Sequence, residues 1–230
     1  MDHDHHAAAW QRLSAAVFTS GFTLASACRT CADDLDADFA GTTLITSGEL
    51  RLLAGATDER AHLVEDAQLV TGEGPCIDAY LHREPVDVTD LRQAHARWPA
   101  YAPIACEQDA RSVMALPLSL GSLVVGALDL YRSTPTPFTP DQRARAVAYA
   151  RIIALLAVDE HPHLLAGRDR PVQRGPQGYP PTVHIAAGIL AAKYGLLPDD
   201  ALARLRAHSF RHNQPLLHTA QYVLTHQNLD

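Results

Sequence analysis

At 230 residues the chain has room for one large domain or two smaller ones, and 47% of it is hydrophobic, enough for an ordinary buried core. It contains no run of about 18 apolar residues, so no membrane-spanning helix is expected. The net charge of −7 excludes a chain that attracts nucleic acid over its whole surface, but the charge is uneven. Residues 1–160 hold 12 arginines against 22 acidic residues, whereas residues 182–230 carry a net +1 and five histidines.

The opening MDHDHHAAAW is acidic and His-rich and lacks the basic segment of a secretory signal, so cytoplasmic residence is the expectation. Asp2, His3, Asp4, His5 and His6 read as a disordered terminus rather than a metal grip. Trp10, Leu13, Val17, Ser20, Leu24, Ala27 and Cys31 recur at alternating spacings of 3 and 4, which predicts one helix over residues 10–31 with a narrow seam. That seam packs either on its own domain or across a dimer. Cys28 and Cys31 have CxxC spacing with no second pair, and read as thiols on a packed face rather than half a zinc site. No metal site is expected.

GTTLIT at 41–46 and residues 50–54 predict a hairpin, with its turn at Ser47, Gly48 and Glu49. A helix follows over 58–70. The stretch Thr71-Gly72-Glu73-Gly74-Pro75-Cys76 makes a tight entry into a short helix at 76–82. A strand at 85–88, a helix from Trp98 to about Asp109, strands at 112–118 and 123–132, and a long helix from Thr139 to about Glu160 complete the domain. The order predicts an α+β domain, an antiparallel sheet with helices. The last helix should pack beside residues 10–31, and two such pairs suit a homodimer. Cys76 has only His82 nearby as a base and no placed orienting acid, so no catalytic residues are assigned. Gly72 and Gly74 lack the Lys-Ser or Lys-Thr of a phosphate loop.

The GEGPC stretch, the Trp98-Pro99 pair and the strand ending Leu128-Asp129-Leu130-Tyr131 together resemble a GAF domain over about residues 35–160. The resemblance is to GAF domains that precede ANTAR modules in actinobacterial regulators. It implies a sensor and no known cofactor, with an unidentified small-molecule effector in a pocket lined by Trp98, Tyr101, Cys106, Met114 and Leu116. Cys76 and Cys106 are further candidates for reporting oxidation.

Residues 161–181 hold five prolines and three glycines, which breaks any continuous helix and predicts a linker. Such a linker transmits no torque, so control by docking of the C-terminal module is expected. The division expected is a sensor at 1–160, a linker at 161–181 and a module at 182–230.

Three short helices are predicted beyond the linker. The first carries Val183, Ala186, Ile189 or Leu190, and Lys193, and stops at Gly195. The second opens at Pro198 with Asp199 and Asp200 in its first turn, and its stripe is Ala201, Leu202, Leu205 and Ser209. The third carries Leu216 or Leu217, Ala220, Val223 and Leu224. No stripe buries itself alone, so the three pack together.

Ala186, Gly188-Ile189-Leu190, Lys193, Gly195, Asp200-Ala201-Leu202, Leu205-Arg206, Asn213, Leu217, Ala220 and Val223 resemble, in order and spacing, the ANTAR domain, a small RNA-binding module of antitermination regulators. Ile185, Ala187 and Leu197 depart from its usual polar, lysine and serine residues. The resemblance implies binding to tandem RNA hairpins in nascent transcripts. Lys193 and Arg206 are the candidates for backbone or loop contact, with Arg204, Arg211, His212 and Asn213 near them and Gly188 permitting close approach. Five histidines predict binding that strengthens as pH falls. The expected fold is thus an α+β GAF-like domain followed by an all-α three-helix ANTAR-like domain. The alternative is a small-molecule or redox sensor acting through protein contacts, with a degenerate ANTAR domain.

Overall fold

A computed structural model describes residues 2–20, 23–45, 51–161, 181–212 and 214–229. The hairpin turn at 47–49 and nearly all of the predicted linker lie outside the described residues.

The N-terminal part is built on five strands: β1 (Phe39–Ile45), β2 (Arg51–Ala56), β3 (Val86–Val88), β4 (Ser112–Leu120) and β5 (Leu123–Arg132). Their order is β2-β1-β5-β4-β3 and every pairing is antiparallel. Both faces are covered, which is why β4 and β5 read as continuous apolar runs rather than alternating ones. Helices α1 (Asp2–Ser20), α2 (Leu24–Asp34) and α6 (Pro140–Glu160) cover one face. Helices α3 (Glu59–Thr71), α4 (Pro75–His82) and α5 (Tyr101–Glu107) cover the other.

Three expectations are corrected. Residues 10–31 form two helices, because Thr23 caps α2 through a reciprocal pair with Ser26. Among the described side chains of the seam, Leu13, Leu24, Ala27 and Cys31 are buried in the cluster that includes α6 residues. The first residues are helical rather than disordered, anchored by the buried Ala9 and Leu13. The helix expected from Trp98 starts only at Tyr101, since Pro99 disfavours helical backbone at the residue before it.

α6 begins as its sequence dictates. Thr139 accepts from the Gln142 amide, Gln142 reaches back to the Thr139 amide, and Pro140 occupies the first turn. Cys28 lies 2.8 Å from the Thr42 hydroxyl, and burial pushes its thiol up to about 12.

The C-terminal part is the expected trio: α7 (Pro181–Tyr194), α8 (Pro198–Arg211) and α9 (Leu216–His226). Val183, Ala186, Leu190, Ala201, Leu202, Leu205, Leu216, Ala220 and Val223 form one core, and Leu69 and Val70 of α3 belong to it. The trio therefore rests on the outer side of α3. No described helix is long and apolar enough to cross a membrane.

Candidate functional site

The seat of the trio on α3 is polar as well as apolar. Arg206 of α8 is half-buried, and its Nε donates to the Val70 carbonyl oxygen at 2.6 Å. That carbonyl belongs to the last turn of α3, where unsatisfied carbonyls and the helix dipole favour a cation. Gly72 ends α3 at φ 74°, and a Cβ there would stand 2.8 Å from an Arg206 terminal nitrogen. The glycine supplies both the left-handed turn and the room for the guanidinium.

A second contact closes the seat. The Leu216 amide, at the first turn of α9, donates to Asp66 Oδ2 at 3.0 Å. Pro215 offers α9 no side-chain cap, so Asp66 supplies one from the other domain. Burial pushes the Asp66 carboxyl up to about 6, against the opposing pull of the Leu216 N–H. Beside these contacts lies a cleft of about 440 Å³, lined by Asp66, Val70, Pro103, Glu107, Phe210 and Gln214 among others.

The inner side of α3 carries a buried polar cluster. Glu65, Gln68 and Asp129 are at most 1% exposed. Glu65 accepts from the Thr43 hydroxyl and from the Tyr131 hydroxyl, both at 2.8 Å. Gln68 Nε2 donates to Asp129 Oδ2 at 2.8 Å, and Gln68 Oε1 accepts the Cys76 amide at 2.8 Å. Burial raises the carboxyls of Glu65 and Asp129, and the Glu65 charge raises Asp129 further. The GEGPC segment is a clasp around this cluster. Gly74 leaves room for Gln68, since a Cβ there would stand 2.3 Å from Oε1. Glu73 accepts the Tyr101 amide at 3.0 Å, and Asp78 accepts the Trp98 indole N–H at 3.2 Å.

The family profile of the GAF domain matches residues 23–158, more than half of the chain. The chain belongs to the GAF domain family. The profile of the ANTAR domain matches residues 181–224, so an ANTAR domain follows the GAF domain. This pairing makes the chain a regulator with a sensor domain and an RNA-binding output domain. Among solved structures, the GAF domain of a phosphoenolpyruvate-protein phosphotransferase from Coxiella burnetii superposes with a TM-score of 0.51 at 15% identity, covering 70% of this chain and 95% of that one. The corresponding GAF domain from Acinetobacter gives 0.50 at 15% identity, covering 70% and 96%. The type II free methionine-R-sulfoxide reductase of Thermoplasma acidophilum gives 0.48 at 20% identity, covering 59% and 90%. The first two likenesses show the fold and nothing beyond it. No curated protein matches the chain.

Within the ANTAR domain the predicted RNA-contacting residues divide. Lys193 and Arg204 are exposed and flank Tyr194, with Nζ 5.6 Å and Cζ 4.4 Å from the ring centre. Arg211 and His212 are exposed at the far end of α8, and Gly188 is exposed with open space where a Cβ would be. Arg206 faces the GAF domain instead, and Asn213 lies outside the described residues. In the GAF domain, Trp98 and Tyr101 lie on the α3 side of the sheet, with Cys106 packed at its edge. Met114 and Leu116 lie on the opposite side, in the cluster with α1, α2 and α6 residues, so the five candidate liners do not converge.

Glu65, Asp66, Gln68 and Asp129 are absent from the candidates that the sequence suggests. The available signals are an acid within the apolar run of β5 and a Glu at the buried spacing of α3, four residues after Ala61.

Proposed function

We propose that this chain is a signal-responsive transcription antitermination regulator. Its GAF sensor controls an ANTAR domain that binds tandem hairpins in nascent mRNA and so disfavours a terminator stem. The observation that carries the control is the Arg206–Val70 contact. A guanidinium satisfied by a helix end is withdrawn from phosphate, so the docked arrangement is the low-affinity state. Lys193, Tyr194 and Arg204 remain on the surface as a cation–aromatic patch suited to a loop base and its phosphates. We assign Arg211, His212 and Asn213 to flanking contacts and Gly188 to close approach.

The same proposal divides the chain into a sensor at 1–160, a linker at 161–181 and the output domain at 182–230. It places the protein in the cytoplasm as a homodimer, with Leu155 of α6, half exposed, as part of the pairing face. It treats the chain as a regulator and not an enzyme. Cys76 is 1% exposed, where a nucleophile meets no substrate. A small-molecule effector of the GAF domain is retained, with Trp98, Tyr101 and Cys106 beside its site and Met114 and Leu116 behind the sheet.

Transcription in vitro tests this. On a template whose terminator overlaps two hairpins, the chain should increase readthrough, and the Lys193→Ala/Arg204→Ala double variant should not. A second reading, output through protein contacts, is favoured by Ile185, which is 55% exposed on α7. Readthrough unchanged by the wild-type chain, with hairpin binding absent at low salt, would move the conclusion to that reading.

A further inference from the structure

Glu65, Cys76 and Asp129 take no part in holding the tail or in RNA contact. One donor atom from each, two carboxylate oxygens and the Cys76 sulfur, lie within 4.8 Å of one another, and all three residues are buried. Asp129 is fully buried, and its Oδ1 accepts no hydrogen bond among the described residues. A buried carboxylate oxygen without a donor is costly unless positive charge reaches it.

The neighbouring donors fall short of the demand. Tyr131 has one hydroxyl proton, yet its oxygen lies 2.8 Å from Glu65 Oε1 and 3.0 Å from Asp129 Oδ2. Gln68 Nε2 serves Asp129 Oδ2 at 2.8 Å and Glu65 Oε2 at 3.3 Å, and Thr43 serves Glu65 Oε2. Two carboxyls side by side in a dry site need either a shared proton or a cation between them. The site is also built for these side chains. A Cβ at Gly41 would stand 2.4 Å from Glu65 Cγ, so only glycine admits Glu65 to this position.

We propose that Glu65, Cys76 and Asp129 bind one divalent transition-metal ion of borderline softness, of the zinc class. Two carboxylates with one thiolate suit such an ion. Calcium and magnesium take six or more oxygen ligands, and copper(I) prefers sulfur alone. Donors around a tetrahedral zinc stand roughly 3.3–3.8 Å apart, so side-chain shifts on the order of 1 Å close the site. Tyr131, whose hydroxyl touches both carboxyls, is the candidate for the fourth position. Thr43 and Gln68 orient the carboxylates from outside.

The test uses the full chain with His3, His5 and His6 changed to Ala, which removes the His-rich terminus as a competitor. Cobalt(II) is titrated in, and the thiolate-to-cobalt charge-transfer band and the visible bands of a four-coordinate ion are recorded. One cobalt per chain, displaced by zinc, is expected. The charge-transfer band should vanish in Cys76→Ser and persist in Cys106→Ser. Asp129→Asn, a near-isosteric change whose fold is checked by its thermal melt, should weaken binding at least tenfold. Absence of a thiolate band overturns the proposal. So does a band that survives Cys76→Ser and is lost in Cys28→Ser, which would place the ion at Cys28 and Cys31.

Discussion

Arg206 reaches from α8 to the end of α3, its Nε 2.6 Å from the Val70 carbonyl oxygen. The same side chain is a phosphate contact in the function proposed above, and under that proposal holding the sensor and holding RNA are alternatives for one guanidinium. Leu69 and Val70 enter the ANTAR core with it. The sensor therefore supplies part of the surface that the output domain needs to cover its own apolar stripe.

Docking should depend on pH through Asp66. Its carboxyl is raised to about 6 when docked and returns toward the usual 3.8 when released. The docked state thus binds the proton more tightly. Its stabilisation is complete below the lower value and is lost as pH rises through about 6. Exchange of the Leu216 amide, corrected for intrinsic rate, should rise between pH 5 and pH 7.5. Asp66→Asn keeps an acceptor without the charge, and its exchange should stay slow throughout.

Gly72→Ala should release the tail and lower stability together. The position requires φ 74°, and the added Cβ would stand 2.8 Å from Arg206. The left-handed conformation alone costs about 1–2 kcal/mol for a residue with a side chain. Denaturant melts should show at least that loss, and RNA affinity should rise. A variant with wild-type stability would contradict the account of this turn.

Much of this was legible in the chain, and the gaps have physical causes. The stripe Ala201, Leu202, Leu205 and Ser209 is the buried face of α8, because a lone amphipathic helix shows its period directly. The break at Thr23 was hidden because apolar spacing runs on across it. SVMALPL is apolar at successive positions, since both faces of β4 are covered, so nothing in it fixes which alternate set faces which side. That is why Met114 and Leu116 stand behind the sheet. Glu65 and Asp129 meet only through tertiary packing of α3 on β5, which no local pattern announces. Leu69 and Val70 lie at the end of the helix predicted over 58–70, and nothing in that helix's own period shows that they join the core of the ANTAR helices.

With metal removed by chelator, the paired carboxyls should destabilise the chain as pH rises. Burial raises both, and the Glu65 charge raises Asp129 further, so their stabilising contribution belongs to low pH and fades upward. Asp129→Asn should be more stable than the wild-type chain at pH 7.5 by about 1 kcal/mol or more, with a flatter stability profile. Thermal melts across pH 5 to 8.5 read this directly. A variant less stable at every pH would show that the charge pair is already compensated.

Thiol reactivity should separate the four cysteines. Cys28, Cys31 and Cys76 are buried and Cys106 is partly exposed. Burial raises the Cys28 and Cys31 thiols, and less completely that of Cys106. Titration of the folded chain with a disulfide reagent should find Cys106 reacting first and the other three only on unfolding. Loss of the fast phase in Cys106→Ser confirms the assignment.

The most direct measurement is RNA affinity of the full chain against Leu69→Asp, over a salt series. Leu69 is 5% exposed and lies in the cluster made with the ANTAR helices, so the new charge should expel the tail and leave the sheet domain folded. The account predicts that Leu69→Asp binds tandem hairpins at least tenfold tighter than the wild-type chain. It also predicts that adding Arg206→Ala weakens binding to all RNA targets alike and lowers the salt slope by about one. Equal affinity of the wild-type chain and Leu69→Asp, with the tail shown released by Leu216 amide exchange, would contradict the claim that the sensor withholds the RNA-binding surface.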